Sequence, residues 1–465
     1  MIIQSESELM ANQKHSDVMA PDKDFEVLQS QDGDSLFFSL GTDGLFYLTR
    51  EARDTRTGWD KIDLSGGLAR QLGVAKATAK TFCVAQNAQT GTIDLALAMT
   101  DGAKDYLFLS LGHSNTDLSW ANGAAWTYAP FDAEGVSVAV LSIADNYILQ
   151  NATGEFFVVD ILKNPGNPLQ LISRFFLRPA AAVKWCVHDL AVDLSAGGVV
   201  SALGQRAGDM VAGTYTFGKI VDTTELIFTQ LYNPFKKLDG SNRAGFTARL
   251  TVPAGADAMA VATGPAGVSN VFVAGGGVLT LFAPDNQNDQ AVGLAVVRNA
   301  LFAGVQTLHA AAIEGRTAVY GVNQQGDLFY VACAAGSETT PAAWSTPLPI
   351  LLNVERIAPY LNVQTSNNVI FAHVSGANLV QLTQDPVTTE WRQRSILLPS
   401  TDPDDLVSYN SFTTHLTVTD DFKVPQANVK LSLTSVSPVV VYANDVYHSC
   451  RRTSPSRSRP TRRAC

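Results

Sequence analysis

Tryptophan carries the most suggestive spacing in this chain, because four of its six copies recur in matching surroundings. Trp59 (Thr57-Gly-Trp-Asp60), Trp126 (Ala125-Trp-Thr127), Trp344 (Ala343-Trp-Ser345) and Trp391 (Glu390-Trp-Arg392) each follow an apolar run and a loop. Each also precedes another apolar run, such as Ile396-Leu-Leu-Pro399. An indole so placed has two uses. It can bury a large apolar area as an anchor between neighbouring units, or offer its face as a stacking platform to a sugar or another flat apolar surface. On the second reading Trp59, Trp126, Trp344 and Trp391 are the ligand-binding residues.

Other chemistry-bearing residues are scattered. The seven histidines (His15, His113, His188, His309, His373, His415 and His448) contain no i, i+4 pair and no His-x-His, so a compact metal site is not expected. His188-Asp189 reads as a local hydrogen-bonded pair. Gly275-Gly276-Gly277 lacks the spacing and the following helix of a phosphate-binding loop, and reads as a hairpin turn. Five cysteines (Cys83, Cys186, Cys333, Cys450 and Cys465) are far apart, odd in number and without a Cys-x-x-Cys, which points to free thiols in a reducing compartment.

Gly33-Asp34-Ser35-Leu36 matches the signature of the GDSL serine hydrolases, and Asp445-Val-Tyr-His448 resembles their Asp-x-x-His partner in the same chain order. The resemblance implies Ser35 as nucleophile, His448 as general base and Asp445 as its orienting carboxylate. It also implies an α/β fold with the serine at a strand-to-helix turn, whereas Ser35 enters a β run and the family's middle blocks are not recognisable. Sialidase-like propellers, with repeated Ser-x-Asp-x-Gly-x-Thr-Trp turns, find only a partial echo in Ser114-Asn-Thr-Asp117 and Trp126-Thr127.

The elements that must position these residues are short strands. With 46% hydrophobic and 16% charged residues, 35 Gly and 20 Pro, the chain suits many strands joined by tight turns. One pattern recurs seven times: a β-rich run, a turn usually holding glycine, then an aromatic-rich run. Ser35-Leu-Phe-Phe-Ser-Leu-Gly-Thr-Asp-Gly44 leads into Leu45-Phe-Tyr-Leu48, and Ala318-Val-Tyr-Gly-Val-Asn-Gln-Gln-Gly326 leads into Leu328-Phe-Tyr-Val331. The turn glycines at 44, 102, 154, 208, 277, 326 and 376 lie 49 to 69 residues apart, and the longest step suggests an insertion near Asn233 to Arg249. A hairpin cannot bury both its faces alone, but four-stranded units stacked radially can. The expected fold is all-β, a seven-bladed β-propeller with six blades as the alternative, and a short C-terminal β extension.

The expected division is a polar segment over 1–24, the propeller over 25–400, a linker and partial hairpin over 401–449, and a disordered basic tail over 450–465. Within the third part, Leu416 to Leu433 resembles the opening hairpin of bacterial Ig-like repeats. The tail holds six arginines, so residues 1–450 carry 27 basic against 43 acidic side chains, a net −16 within a whole-chain charge of −10. The acidic body should repel a phosphate backbone, leaving any nucleic-acid contact to the tail. That tail reads as a frame shift or cloning scar, with an RNA or membrane anchor as the other reading. The start is polar without a basic, apolar leader, and no later segment suggests a membrane span. The expectation is a soluble protein, cytoplasmic or released without a standard signal peptide. Asn151-Ala-Thr153, a glycosylation sequon by letter, then reads as a turn.

The strand layout, with Gly-x-Leu-Phe-Tyr runs followed by a tryptophan after a loop, resembles tectonin-type and related lectin propellers over residues 26 to 399. The resemblance implies a non-catalytic binding module with repeated sites for glycans or glycosylated surfaces and no cofactor. A protein-interaction scaffold, or an enzyme acting on glycans or esters, is the alternative. A binding module predicts equivalent rim sites; an enzyme predicts one polar cleft with a perturbed carboxylate or an arginine cluster.

Overall fold

The computed structural model describes residues 19–20, 23, 25–51, 59–87, 91–128, 138–148, 154–163, 170–179, 186–193, 200–207, 214–221, 224–232, 245–256, 258–263, 269–285, 288, 290–313, 315–362, 367–375, 379–385, 389–396, 410–412, 431–433, 439–443, 446–450 and 456–458. For residues 138–215 it describes the backbone course only.

The chain forms seven antiparallel meanders in succession, each with strand order equal to chain order. Sheet 1 holds β1 (Phe25–Gln29), β2 (Ser35–Leu40), β3 (Phe46–Glu51) and β4 (Trp59–Asp63); sheet 2 holds β5 (Thr78–Asn87), β6 (Thr92–Thr100), β7 (Asp105–Ser114) and β8 (Thr127–Tyr128). Sheet 3 comprises β9 (Val138–Ile148), β10 (Gly154–Lys163), β11 (Gln170–Pro179) and β12 (Cys186–Asp193); sheet 4 comprises β13 (Val200–Ala207), β14 (Thr214–Val221), β15 (Glu225–Tyr232) and β16 (Gly245–Thr251). In sheet 5 are β17 (Ala258–Thr263), β18 (Ser269–Gly275), β19 (Val278–Asp285) and β20 (Gln290–Arg298), and in sheet 6 are β21 (Val305–Ile313), β22 (Arg316–Asn323), β23 (Leu328–Ala334) and β24 (Leu348–Leu351). Sheet 7 adds a fifth strand to β25 (Val354–Asn362), β26 (Asn367–Val374), β27 (Leu379–Gln384) and β28 (Trp391–Ile396), namely β29 (Asn410–Phe412). Helix among the described residues is limited to short pieces such as Leu68–Leu72.

Strand composition follows burial. The outer positions of β1 alternate, whereas β2 (Ser-Leu-Phe-Phe-Ser-Leu) and β18 are buried at every residue. Strands covered on both faces read as continuous apolar runs. The covering layers are the neighbouring sheets. Phe38 and Phe46 of sheet 1 share a core with Leu95, Leu97 and Phe108 of sheet 2. Phe272 of sheet 5 packs with Val319 and Phe329 of sheet 6, and Tyr320 of sheet 6 with Ile370 and Val380 of sheet 7. Sheet 7 in turn packs against sheet 1, where Phe37 meets Phe371 with ring centroids 6.5 Å apart. First strands also touch in sequence, β5 with β9, β9 with β13, β13 with β17, β17 with β21, β21 with β25, and β25 with β1.

The turn glycines have a common purpose. The carbonyl of Gly44, between β2 and β3, accepts from Ala79 N at 2.8 Å in the next sheet, and that of Gly326, between β22 and β23, accepts from Val354 N at 2.8 Å. Both have positive φ (80° and 79°), and a Cβ on Gly44 would stand 2.8 Å from Thr78 Cγ2. The tight turn and close approach together call for glycine.

Two repeat units differ from the sequence reading. Gly154 opens β10, and the run before Gly208 is β13, so these units mark first hairpins rather than second ones. In a meander every hairpin carries the same local signature of strand, turn and strand, and only pairing tells them apart. Residues 233–244, the expected insertion, separate β15 from β16 and lie outside the described residues, while Arg249 belongs to β16.

The C-terminal part has two short ladders, β30 (Leu431–Leu433) with β33 (Ser456–Ser458) and β31 (Val439–Ala443) with β32 (Val446–Cys450). The linker at 401–405, most of the Ig-like resemblance (416–430) and the sequon at 151–153 lie outside the described residues. No helix among the described residues is long and apolar enough to cross a membrane.

Candidate functional site

A crevice of about 450 Å³ opens between sheets 1 and 2, at the end that carries the turns between second and third strands. Both turns read Thr-Asp-Gly, at Thr42-Asp43-Gly44 and Thr100-Asp101-Gly102, and the threonines stand on its lining with Thr78. Ala20, Leu40 and Ala79 supply apolar surface, and Lys23 and Lys80 supply ammonium groups. The walls are held by backbone bonds. Ala20 N donates to Leu40 O at 2.7 Å, tying the end of the N-terminal segment to β2, and Ala79 N donates to Gly44 O.

Each turn has its own clasp. Tyr47 Oη donates to Asp43 Oδ2 at 2.5 Å, and Tyr106 Oη donates to Asp101 Oδ2 at 2.7 Å. The ammonium of Lys61 lies 4.3 Å over the Tyr47 ring, and that of Lys104 lies 5.4 Å over Tyr106. The Tyr106 hydroxyl, then the amides of Ala103 and Lys104, hold the Asp101 carboxyl below the usual carboxylate range. Lys80 Nζ is 2.7 Å from the largely buried Asp105 Oδ2, which aims the ammonium along the crevice wall. Hydroxyls, ammonium groups and a small apolar floor can hydrogen-bond a polyhydroxylated or anionic ligand while covering its C–H surface.

The four recurring tryptophans share one place: Trp59 opens β4, Trp126 directly precedes β8, Trp344 stands four residues before the start of β24, and Trp391 opens β28. Their surroundings differ. Trp126 is 8% exposed, packs with Phe46 of the preceding sheet and donates its indole N–H to Leu64 O at 2.7 Å. Trp344 is also 8% exposed, sets its ring 5.8 Å from Phe272 of the preceding sheet and donates to Glu338 O at 2.9 Å. Trp391 is half-buried, edge-on to Tyr330 of the preceding sheet at 5.7 Å. The Trp59 side chain lies outside the described residues. None of the three whose side chains are described, Trp126, Trp344 and Trp391, lines the crevice.

Of the residues of the hydrolase resemblance, Ser35 opens a strand rather than a strand-to-helix turn, and the side chain of His448 lies outside the described residues. Ser35 is buried in β2, paired with Gln29 on one side and Glu51 on the other, and Asp445 lies outside the described residues. Cys83 and Cys333 are buried and in no disulfide; burial first, then the neighbouring Glu338 carboxylate, pushes the Cys333 thiol up to about 12. Among the described residues no three His, Cys, Asp or Glu side chains group as a metal site.

Sequence reasoning passed over Trp120. It lies outside the four-fold pattern, yet its ring stacks on His113 at a centroid distance of 4.1 Å and an interplanar angle of 13°. Lys23, Thr42, Thr78 and Thr100 were missed too, because the crevice unites positions from two sheets and no local motif joins them.

No protein-family model and no curated protein matches this sequence. Solved structures do resemble it. An Aleuria aurantia lectin mutant in complex with Fucalpha1-6GlcNAc is 11% identical, with 84% of this chain and 99% of that chain covered and a TM-score of 0.42. SapL1 lectin in complex with alpha methyl fucoside is 10% identical, with 82% and 98% covered and a TM-score of 0.41. A puromycin hydrolase mutant complexed with PGG is 13% identical, with 95% of this chain but 59% of that chain covered, at a TM-score of 0.50. At such identities the likeness concerns fold alone.

Proposed function

We propose that the chain is a non-catalytic binding module, a seven-bladed β-propeller over residues 25–400 that recognises glycans or a glycosylated surface. The crevice between sheets 1 and 2 carries this reading. It offers hydroxyls from Thr42, Thr78 and Thr100, ammonium groups from Lys23 and Lys80, and apolar surface from Ala20, Leu40 and Ala79. Sugars need polar groups for hydroxyls and apolar surface for their C–H faces, and this lining supplies both. The ring is supported by seven successive sheets, with the last packed on the first. Trp126 and Trp344, before the fourth strands of their sheets, act as anchors between blades, since covered indoles with satisfied N–H groups have no face left for a ligand.

The test is a glycan array probed with the full chain and with the Lys23→Ala and Lys80→Gln variants. Capture of one or more glycans by the parent, reduced at least about tenfold in the variants, is the expected result. Silence on the array together with pull-down of a protein partner would replace this reading with a scaffold role.

A further inference from the structure

We propose that the stacked pair of His113, near the end of β7, and Trp120, on the connection from β7 to β8, is a second carbohydrate platform at the opposite end of sheet 2 from the crevice. This rests on the glycan-binding reading above. In a meander, the turn from third to fourth strand lies at the other end from the turn between second and third, so a chain with both sites presents sugar-binding surfaces at both ends.

Trp120 also packs against the core shared by sheets 1 and 2, but it differs from the anchoring tryptophans in its exposure and in the ring it faces. Trp126 and Trp344 are covered and face phenyl rings, whereas Trp120 and His113 are both half-exposed and face each other. The rings are nevertheless fixed. Trp120 Nε1 donates to Ser114 O at 2.9 Å, and His113 Nε2 lies 2.7 Å from the buried Ser110 Oγ, which also reaches Ala125 O at 3.3 Å. A platform immobilised beforehand loses little freedom when a ligand settles on it.

Polar groups surround it. Ser114 Oγ accepts from the amides of Thr116 at 3.2 Å and Asp117 at 3.1 Å, and Thr116 Oγ1 lies 3.2 Å from the same oxygen. The exposed Asp117 carboxyl accepts from Ser119 N at 3.0 Å, and hydrogen bonds from the Ser119 amide and hydroxyl keep it anionic. An aromatic face beside a fixed carboxylate and a threonine hydroxyl suits a pyranose, whose C–H face stacks while vicinal hydroxyls donate to the carboxylate.

The experiment uses the full chain, titrated with methyl α-galactoside, methyl β-glucoside and methyl α-fucoside, with calorimetric stoichiometry and tryptophan emission as readouts. Trp120→Ala, Asp117→Asn and Lys80→Gln are compared with the parent. Asp117 is exposed, so Asp117→Asn keeps the test meaningful if Trp120→Ala folds poorly. The expected result is two classes of site, one weakened about tenfold by Trp120→Ala and Asp117→Asn together with the emission change, the other weakened by Lys80→Gln. Parent-like stoichiometry and affinity in both Trp120→Ala and Asp117→Asn, with binding lost in Lys80→Gln, would overturn this inference and leave the crevice standing. Binding lost in the two former variants alone would uphold the platform and remove the crevice; absence of sugar binding by the parent would remove both.

Discussion

Truncating Trp344 should reveal whether the recurring tryptophans hold neighbouring sheets together. The indole is 8% exposed, lies between Phe272 of sheet 5 and the loop before β24, and donates to the Glu338 carbonyl at 2.9 Å. Burying an indole removes on the order of 150–250 Å² from water, which at about 25 cal/mol per Å² corresponds to about 4–6 kcal/mol as an upper limit. Measured truncations of large core aromatics centre on about 3–5 kcal/mol, so Trp344→Ala should cost about that much. Trp344→Phe keeps a ring against Phe272 but leaves the Glu338 carbonyl without its donor, and should cost about 1–3 kcal/mol. Trp391→Ala, at a half-exposed indole, should cost less than Trp344→Ala. Urea unfolding followed by far-ultraviolet circular dichroism checks the series, the midpoint falling while the slope stays constant. A Trp344→Ala midpoint equal to that of the parent, with weakened glycan capture, would refute the anchor reasoning.

Gly321→Ala should destabilise sheet 6 by about 1–3 kcal/mol or more, because a Cβ there would stand 2.2 Å from Cζ of the fully buried Phe329 on the paired strand; thermal melting checks it. Thr317→Val removes the hydroxyl that donates to the buried Glu338 carboxylate at 2.5 Å, and should lower stability by about 1–3 kcal/mol with the loop from Gly336 to Trp344 loosened, seen as faster amide exchange. Enclosure of His309 on β21 pushes its imidazole from 6.5 down to about 4, so the folded state disfavours the charged form. Above pH 6.5 neither state binds the proton; between 6.5 and 4 the unfolded chain binds more, so stability should fall as pH drops through that window and level off below 4. His309→Gln should flatten that window in urea midpoints measured from pH 7 to 4, and parallel profiles for parent and variant would contradict it.

The sequence by itself determined what neighbours along the chain decide. The run Ser35–Leu40 marked a strand, Gly44 and Gly326 marked turns, and the four tryptophans marked the approach to a further strand, because each of these depends on residues a few positions apart. Where several hairpins carry the same local signature, chain-neighbour information runs out, which is why the units at Gly154 and Gly208 were set one hairpin early. Only tertiary structure decided which faces meet: that Phe37 reaches Phe371 from the other end of the chain, that Trp126 and Trp344 are covered while Trp120 lies half-open against His113, and that Lys23, Thr42 and Thr100 line one crevice. Packing between sheets is non-directional and joins residues far apart in sequence, so no short pattern records it.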